Sequence, residues 1–168
     1  MRGKAKSVIA MVIVAGIALV GCAGTNDVAF AKKAMTLLVK GNFAAASMID
    51  WSSIKIMGYD LAAKHAQYDK DKDRQEFEKG FIAAFGAGFR RAGAQPSAFR
   101  NWRLVKSEDQ NTSIVVADSV RENTMFIFSV SHGRGASRKL TEIQIKEKDK
   151  IVTGAVMEQG YVPLVPKR

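Results

Sequence analysis

The sequence predicts an α+β domain, with helices in its first half and an antiparallel sheet in its second. Up to Arg91 the apolar residues recur at three- and four-residue intervals, the spacing of a helix face. After Pro96 they alternate in runs of eight to ten residues, the spacing of strands. The links between those runs are short and polar, and short links join strands as antiparallel hairpins. Helices and strands segregated along a chain are the signature of α+β architecture.

Asp27 reads as an N-cap for a first helix over residues 28–40. Val28, Ala31, Met35 and Leu38 lie on one stripe of it, and Lys40-Gly41 is a stop signal. Asn42 is placed to cap a short helix from Phe43 to Ile49, and a third short helix is expected over Ser52–Met57. Charges from Asp69 to Glu78 lead into a long helix over Lys72–Arg91, striped by Phe77, Phe81, Phe85 and Phe89. Gly80, Gly86 and Gly88 each cost that helix about 1 kcal/mol relative to alanine, so close packing against a sheet is expected there. Five strands follow: Phe99–Ser107, Thr112–Val120, Thr124–Ser131, Arg138–Glu147 and Ile151–Glu158. In the third, Phe126, Phe128 and Val130 face one side and Met125 and Ile127 the other, so it belongs in the middle of the sheet. The tail, residues 161–168, carries two of the three prolines and reads as extended.

Composition narrows the function classes. The chain has 168 residues, 47% of them hydrophobic, which suits one folded domain and excludes a disordered chain. Its single cysteine excludes an intrachain disulfide framework and CxxC metal or redox motifs. The net charge of +10 suggests nucleic acid until the N-terminus is read. There, Arg2, Lys4 and Lys6 precede an apolar run from Val8 to Val20. Those 13 residues reach about 20 Å as a helix, short of the roughly 30 Å hydrocarbon core. A basic segment, a short apolar segment and small residues together read as an export signal.

The run ends Leu19-Val20-Gly21-Cys22, which resembles the lipobox of bacterial lipoproteins. That resemblance implies cleavage before Cys22, acylation of its thiol and anchoring to a membrane. With Ala23 next, it also implies passage to the outer membrane where the cell has two. A plain signal peptide cut near Ala23 is the alternative. The expected organisation is therefore a signal peptide over residues 1–21, a lipidated tether over 22–26, one α+β domain over 27–160 and the tail. Loss of Arg2, Lys4 and Lys6 reduces the net charge to +7. Export removes nucleic acid as an expected partner and makes anionic lipid headgroups the natural electrostatic neighbour.

The order of elements, with the helix–turn–helix LLVKGNFAAASMID and the hairpins from Trp102 onward, resembles the nuclear-transport-factor-2-like (cystatin-like) superfamily. The resemblance implies helices packed into the concave side of a bent, cone-like sheet, and a function that is either catalytic or purely binding. Candidate chemistry is sparse. Asp69, Asp71 and Asp73 alternate like the start of a calcium loop, but Arg74 stands where glycine is required and Gly80 where glutamate is required. No cofactor or metal motif is present in the sequence. Asp118 shares strand parity with Ile114 and Val116, so it is either a buried carboxylate with a raised pKa or the wet tip of a strand. His132, with Arg134 and Arg138, falls in a Gly-rich hairpin expected to be solvated, so replacing both arginines should leave folding intact. A pocket, if the cone is hollow, would draw on His65, Phe81, Phe85, Trp102 and Asp118. The expected function is a non-catalytic binding or assembly module of the cell envelope, with an envelope protein as partner. Two alternatives are a carrier or sensor of a small apolar ligand or lipid, held between the phenylalanine helix and the sheet, and an isomerase- or hydratase-like enzyme using Asp118 or His65.

Overall fold

The computed structural model describes residues 26–109, 111–120, 122–133 and 137–148. It shows an α+β fold whose sheet has six strands and is mixed, in place of the four or five antiparallel strands expected. Helix α1 spans residues 26–40 and buries Ala31, Ala34, Met35, Leu38 and Val39. Fully buried side chains such as Met35 and Leu38 each contribute about 1.5–3 kcal/mol by leaving water. The helix stops as its sequence dictates. Gly41 has φ +66°, its N–H donates to Leu38 O at 2.9 Å, and Asn42 N–H donates to Leu37 O at 2.9 Å. These two bonds form a Schellman ending, which needs glycine for its left-handed residue. The Asn42 carboxamide then accepts from Ala44 N–H and opens a 3₁₀ helix over Phe43–Met48.

The third helix expected over Ser52–Met57 is absent. The Asp50 carboxylate instead gathers Ser52 and Ser53 into a turn, and a short strand β1 follows over Lys55–Ile56. It turns back through Met57 and Gly58 into β2, Tyr59–Asp60. Both turn residues have positive φ, 50° and 82°, the pattern of a type I′ two-residue hairpin. At Met57 that conformation costs about 1–2 kcal/mol. Asp60 caps the one-and-a-half-turn helix α2, Leu61–His65, through Ala63 N–H.

Helix α3 runs from Asp71 to Arg91. Only one of its glycines marks a close approach, and the neighbour is not a sheet. A Cβ at Gly86 would lie 2.6 Å from Gly41 N and 2.7 Å from Gly41 Cα, in the turn that ends α1. Gly80 and Gly88 face open space, with no heavy atom within 4 Å of such a Cβ. Arg90 reinforces the α1–α3 crossing by donating to Lys40 O at 3.4 Å.

After a 3₁₀ turn at Pro96–Ala98 the chain forms an antiparallel meander: β3 (Phe99–Asp109), β4 (Thr112–Ser119), β5 (Thr124–His132) and β6 (Arg138–Glu147). The sheet order is β2-β1-β6-β5-β4-β3, with β1 parallel to β6 through Ile56 opposite Ile143. The expected fifth strand, Ile151–Glu158, and the tail lie outside the described residues. One face of the meander joins the helices in the main core through Val115, Ala117, Phe126, Phe128, Val130, Leu140 and Ile143. On the other face Ile114, Val116, Met125 and Ile127 form a second buried cluster. Strand β5 is thus buried on both sides, as its sequence predicts.

Candidate functional site

The Phe row of α3 does not vanish into the core. Phe81, Phe85 and Phe89 are each half-buried, packed on one side and open on the other. On the packed side an aromatic ladder runs from Trp51 to Phe81 (6.0 Å between centroids), Phe85 (5.8 Å) and Phe89 (4.9 Å), then to Phe99 and Phe126 of the sheet. On the open side a cavity of about 440 Å³ separates α3 from the β1–β2 hairpin and α2. Phe81, Ala84, Phe85, Gly88, Phe89 and Ala92 form the α3 wall; Ile56, Met57, Tyr59, Leu61 and Lys64 form the facing wall.

Three local features create this cavity. The strained Met57 turn sets the hairpin's end beside α3, and Met57 N–H is held by Ile143 O at 2.8 Å. Gly88 contributes no side chain where one would project into the space. The aromatic ladder fixes the rings that form the floor. The lining is apolar apart from Lys64 and the Tyr59 hydroxyl, both on exposed residues. A mostly apolar concavity of this size with a few polar groups at its border is the usual form of a small-molecule site.

Two of the five sequence-proposed pocket residues, Phe81 and Phe85, line the cavity. His65 does not: its Nε2 lies 3.0 Å from Glu78 Oε1 and its ring stacks on Trp51. Trp102, partly buried, packs against the core, stacking on Phe128 and donating to Phe99 O. Asp118 is not a buried carboxylate with a raised pKa; it is the penultimate residue of β4, near the strand's end as the second reading has it. The main core takes Val115 and Ala117, so Ile114, Val116 and Asp118 point to the opposite face. There Asp118 meets Asn101 Nδ2 at 3.0 Å, Arg103 Nη1 at 3.4 Å and Lys148 Nζ at 3.6 Å. Burial by itself raises its pKa, but the Asn101 hydrogen bond and the two cations outweigh that, so the carboxyl titrates below the usual carboxylate range. A depressed pKa adds stability above the unfolded value that is lost as pH falls through the folded one. Asp118→Asn is therefore expected to lower the urea midpoint at neutral pH, with the difference from wild type closing below about pH 4. A difference independent of pH contradicts the pairing. His65 and Asp118 do not meet in one cavity, so the geometry required of a shared acid–base pair is not formed.

The described structure adds a cluster that no local motif announces. Asp27 is 1% exposed and has helical backbone within α1, so it is not the expected cap. Its Oδ1 accepts from Arg138 Nε at 2.6 Å and its Oδ2 from Ser113 Oγ at 2.8 Å. His132 Nε2 lies 3.2 Å from the same Oδ2 and 3.4 Å from Ser113 Oγ. Arg138 and His132 are thus partners of a buried carboxylate and not solvated turn residues; Arg134 lies outside the described residues. Ser, His and Asp are all present, but this is no nucleophile relay. A relay needs the acid on one ring nitrogen and the hydroxyl on the other. Here both meet Nε2, Ser113 donates straight to the carboxylate, and Ser113 is itself buried. The cluster clamps the start of α1 to β4, β5 and β6.

Among protein-family models, curated proteins and solved structures, none matches this chain.

Proposed function

We propose that the chain is an exported lipoprotein, held at a membrane through acyl chains on Cys22, whose α+β domain binds a small apolar ligand without catalysis. The observation that carries this reading is the apolar cavity of about 440 Å³ between α3 and the hairpin end of the sheet. It favours ligand binding over a purely assembling role, and it lies toward the hairpin instead of over the central strands. The lipobox-like Leu19-Val20-Gly21-Cys22 supports the location. The element order supports the cystatin-like resemblance: helices, a short hairpin, a long helix and a four-stranded meander.

The Asp27 clamp suits such a tether. Only four residues separate Cys22 from Asp27, so an extended link spans at most about 18 Å. A domain pinned at Asp27 would work close to the headgroups, where apolar and amphiphilic molecules are concentrated.

An uncharged fluorescent probe, N-phenyl-1-naphthylamine, titrated into the purified chain should show saturable one-to-one binding. Lack of saturation would remove the ligand reading. Cys22→Ala should abolish metabolic palmitate labelling and release the protein from the membrane fraction. Unchanged labelling would remove the anchor assignment.

A further inference from the structure

We infer that the cavity takes a single-chain carboxylate of the fatty-acid class, its alkyl chain along the Phe row and its head between Lys64 and Tyr59. This inference rests on the cavity being a ligand site. Three observations lead to it.

The first is shape. The α3 wall runs from Phe81 to Ala92 at intervals of three and four residues, so it follows one face of the helix for about 16 Å. A groove of that length along one helix face suits an extended alkyl chain. Gly88 sits within this wall, and any larger residue there would obstruct the slot.

The second is charge. Among the described residues no acidic side chain lines the cavity; the one cation there is Lys64 and the one hydroxyl is that of Tyr59. Among the described residues neither the Lys64 ammonium nor the Tyr59 hydroxyl has an ion pair or hydrogen bond. By contrast Lys139 donates to Ser47 O, and Lys148 pairs with Asp118. Two unengaged donors match the two oxygens of a carboxylate.

The third is polarity along the slot. Ile56 and Leu61 are buried, whereas Tyr59 is 66% exposed and Lys64 is exposed. Ile56 and Leu61 therefore form the inner wall, and the donors stand at the solvent border. A lysine there lays its aliphatic stem on the wall and keeps its ammonium in water. An amphiphile with an acidic head is complementary to that gradient; an uncharged or cationic one is not.

The test is displacement of bound N-phenyl-1-naphthylamine by dodecanoate, dodecanol, dodecyltrimethylammonium and lysophosphatidylglycerol, each below its micelle concentration. Dodecanoate should displace the probe at about fivefold lower concentration than dodecanol, the size of an exposed charge pair. The advantage should shrink at raised salt and disappear in Lys64→Gln, with melting temperature unchanged. Gly88→Leu should abolish displacement and probe binding alike while remaining folded. Equal displacement by dodecanoate and dodecanol overturns the head-group assignment and leaves the cavity reading standing. Tighter binding of lysophosphatidylglycerol than of dodecanoate also overturns it, in favour of a phospholipid. Absence of any probe binding to the wild-type chain overturns both readings together.

Discussion

Arg138→Ala is expected to destabilise the fold by about 3 kcal/mol, the lower end of the cost of breaking a buried ion pair. Asp27 is 1% exposed and its side chain meets three partners. Arg138 supplies the shortest of those contacts and the only permanently charged one. Without it, Ser113 and His132 remain, and one hydroxyl and one imidazole cannot replace a guanidinium. The Arg138 and His132 side chains are about one-quarter exposed, which keeps the cost at the lower end of the range. Asp27→Asn should cost less, because it removes the buried charge along with the pair. Chemical unfolding of both variants and of the double mutant separates the pair from its context. An Arg138→Ala midpoint equal to wild type contradicts the clamp and restores the solvated hairpin expected from sequence.

Gly86→Ala and Gly88→Ala should change stability in opposite directions, although they sit two residues apart in one helix. Each gains about 1 kcal/mol of helix propensity. At Gly86 the new methyl meets the backbone of Gly41 at 2.6 Å, and backbone cannot rotate away. Separating α3 from the end of α1 disturbs the Leu38 and Ile82 contacts, an overpacking cost of about 1–3 kcal/mol or more. Net destabilisation of about 2 kcal/mol is expected for Gly86→Ala. Gly88→Ala meets nothing within 4 Å, so the propensity gain remains and stability rises by up to about 1 kcal/mol. Urea midpoints of the two variants moving in the same direction contradict the close crossing of α1 and α3.

Features fixed by neighbouring residues were the legible ones. The α1 ending is written locally in Leu-Val-Lys-Gly-Asn, and the structure places its two hydrogen bonds there. The limits of α3 and the hairpins of the meander follow from periodicity and short links. Features fixed by distant partners were not legible. Strand β1 has two residues, too few for alternation to show, and exists because Ile56 meets Ile143 far along the chain. Asp27 carries a capping residue's local signature, but its partners lie 86 to 111 residues away. Asp118 was expected at the pocket, but β4 is buried on both faces, so alternation along it does not report which face meets the helices.

The cavity combines both situations. Its Phe row is plain in the sequence, but a stripe at helical spacing serves core and pocket equally well, and here one side of each ring serves the core. What turns the other side into a cavity is Gly88 and the Met57 turn, and neither is distinctive by itself. The three glycines of α3 look alike in sequence; only the approach of Gly41 distinguishes Gly86 from Gly88.

Mass spectrometry of organic extracts from the purified chain, wild type beside Gly88→Leu, tests the central claim most directly. Taken from the membranes of cells that make it, the wild-type protein should release about one equivalent of a long-chain carboxylate that is missing from the variant. Extracts free of any such molecule, or identical from the two proteins, would contradict a ligand-holding slot along α3.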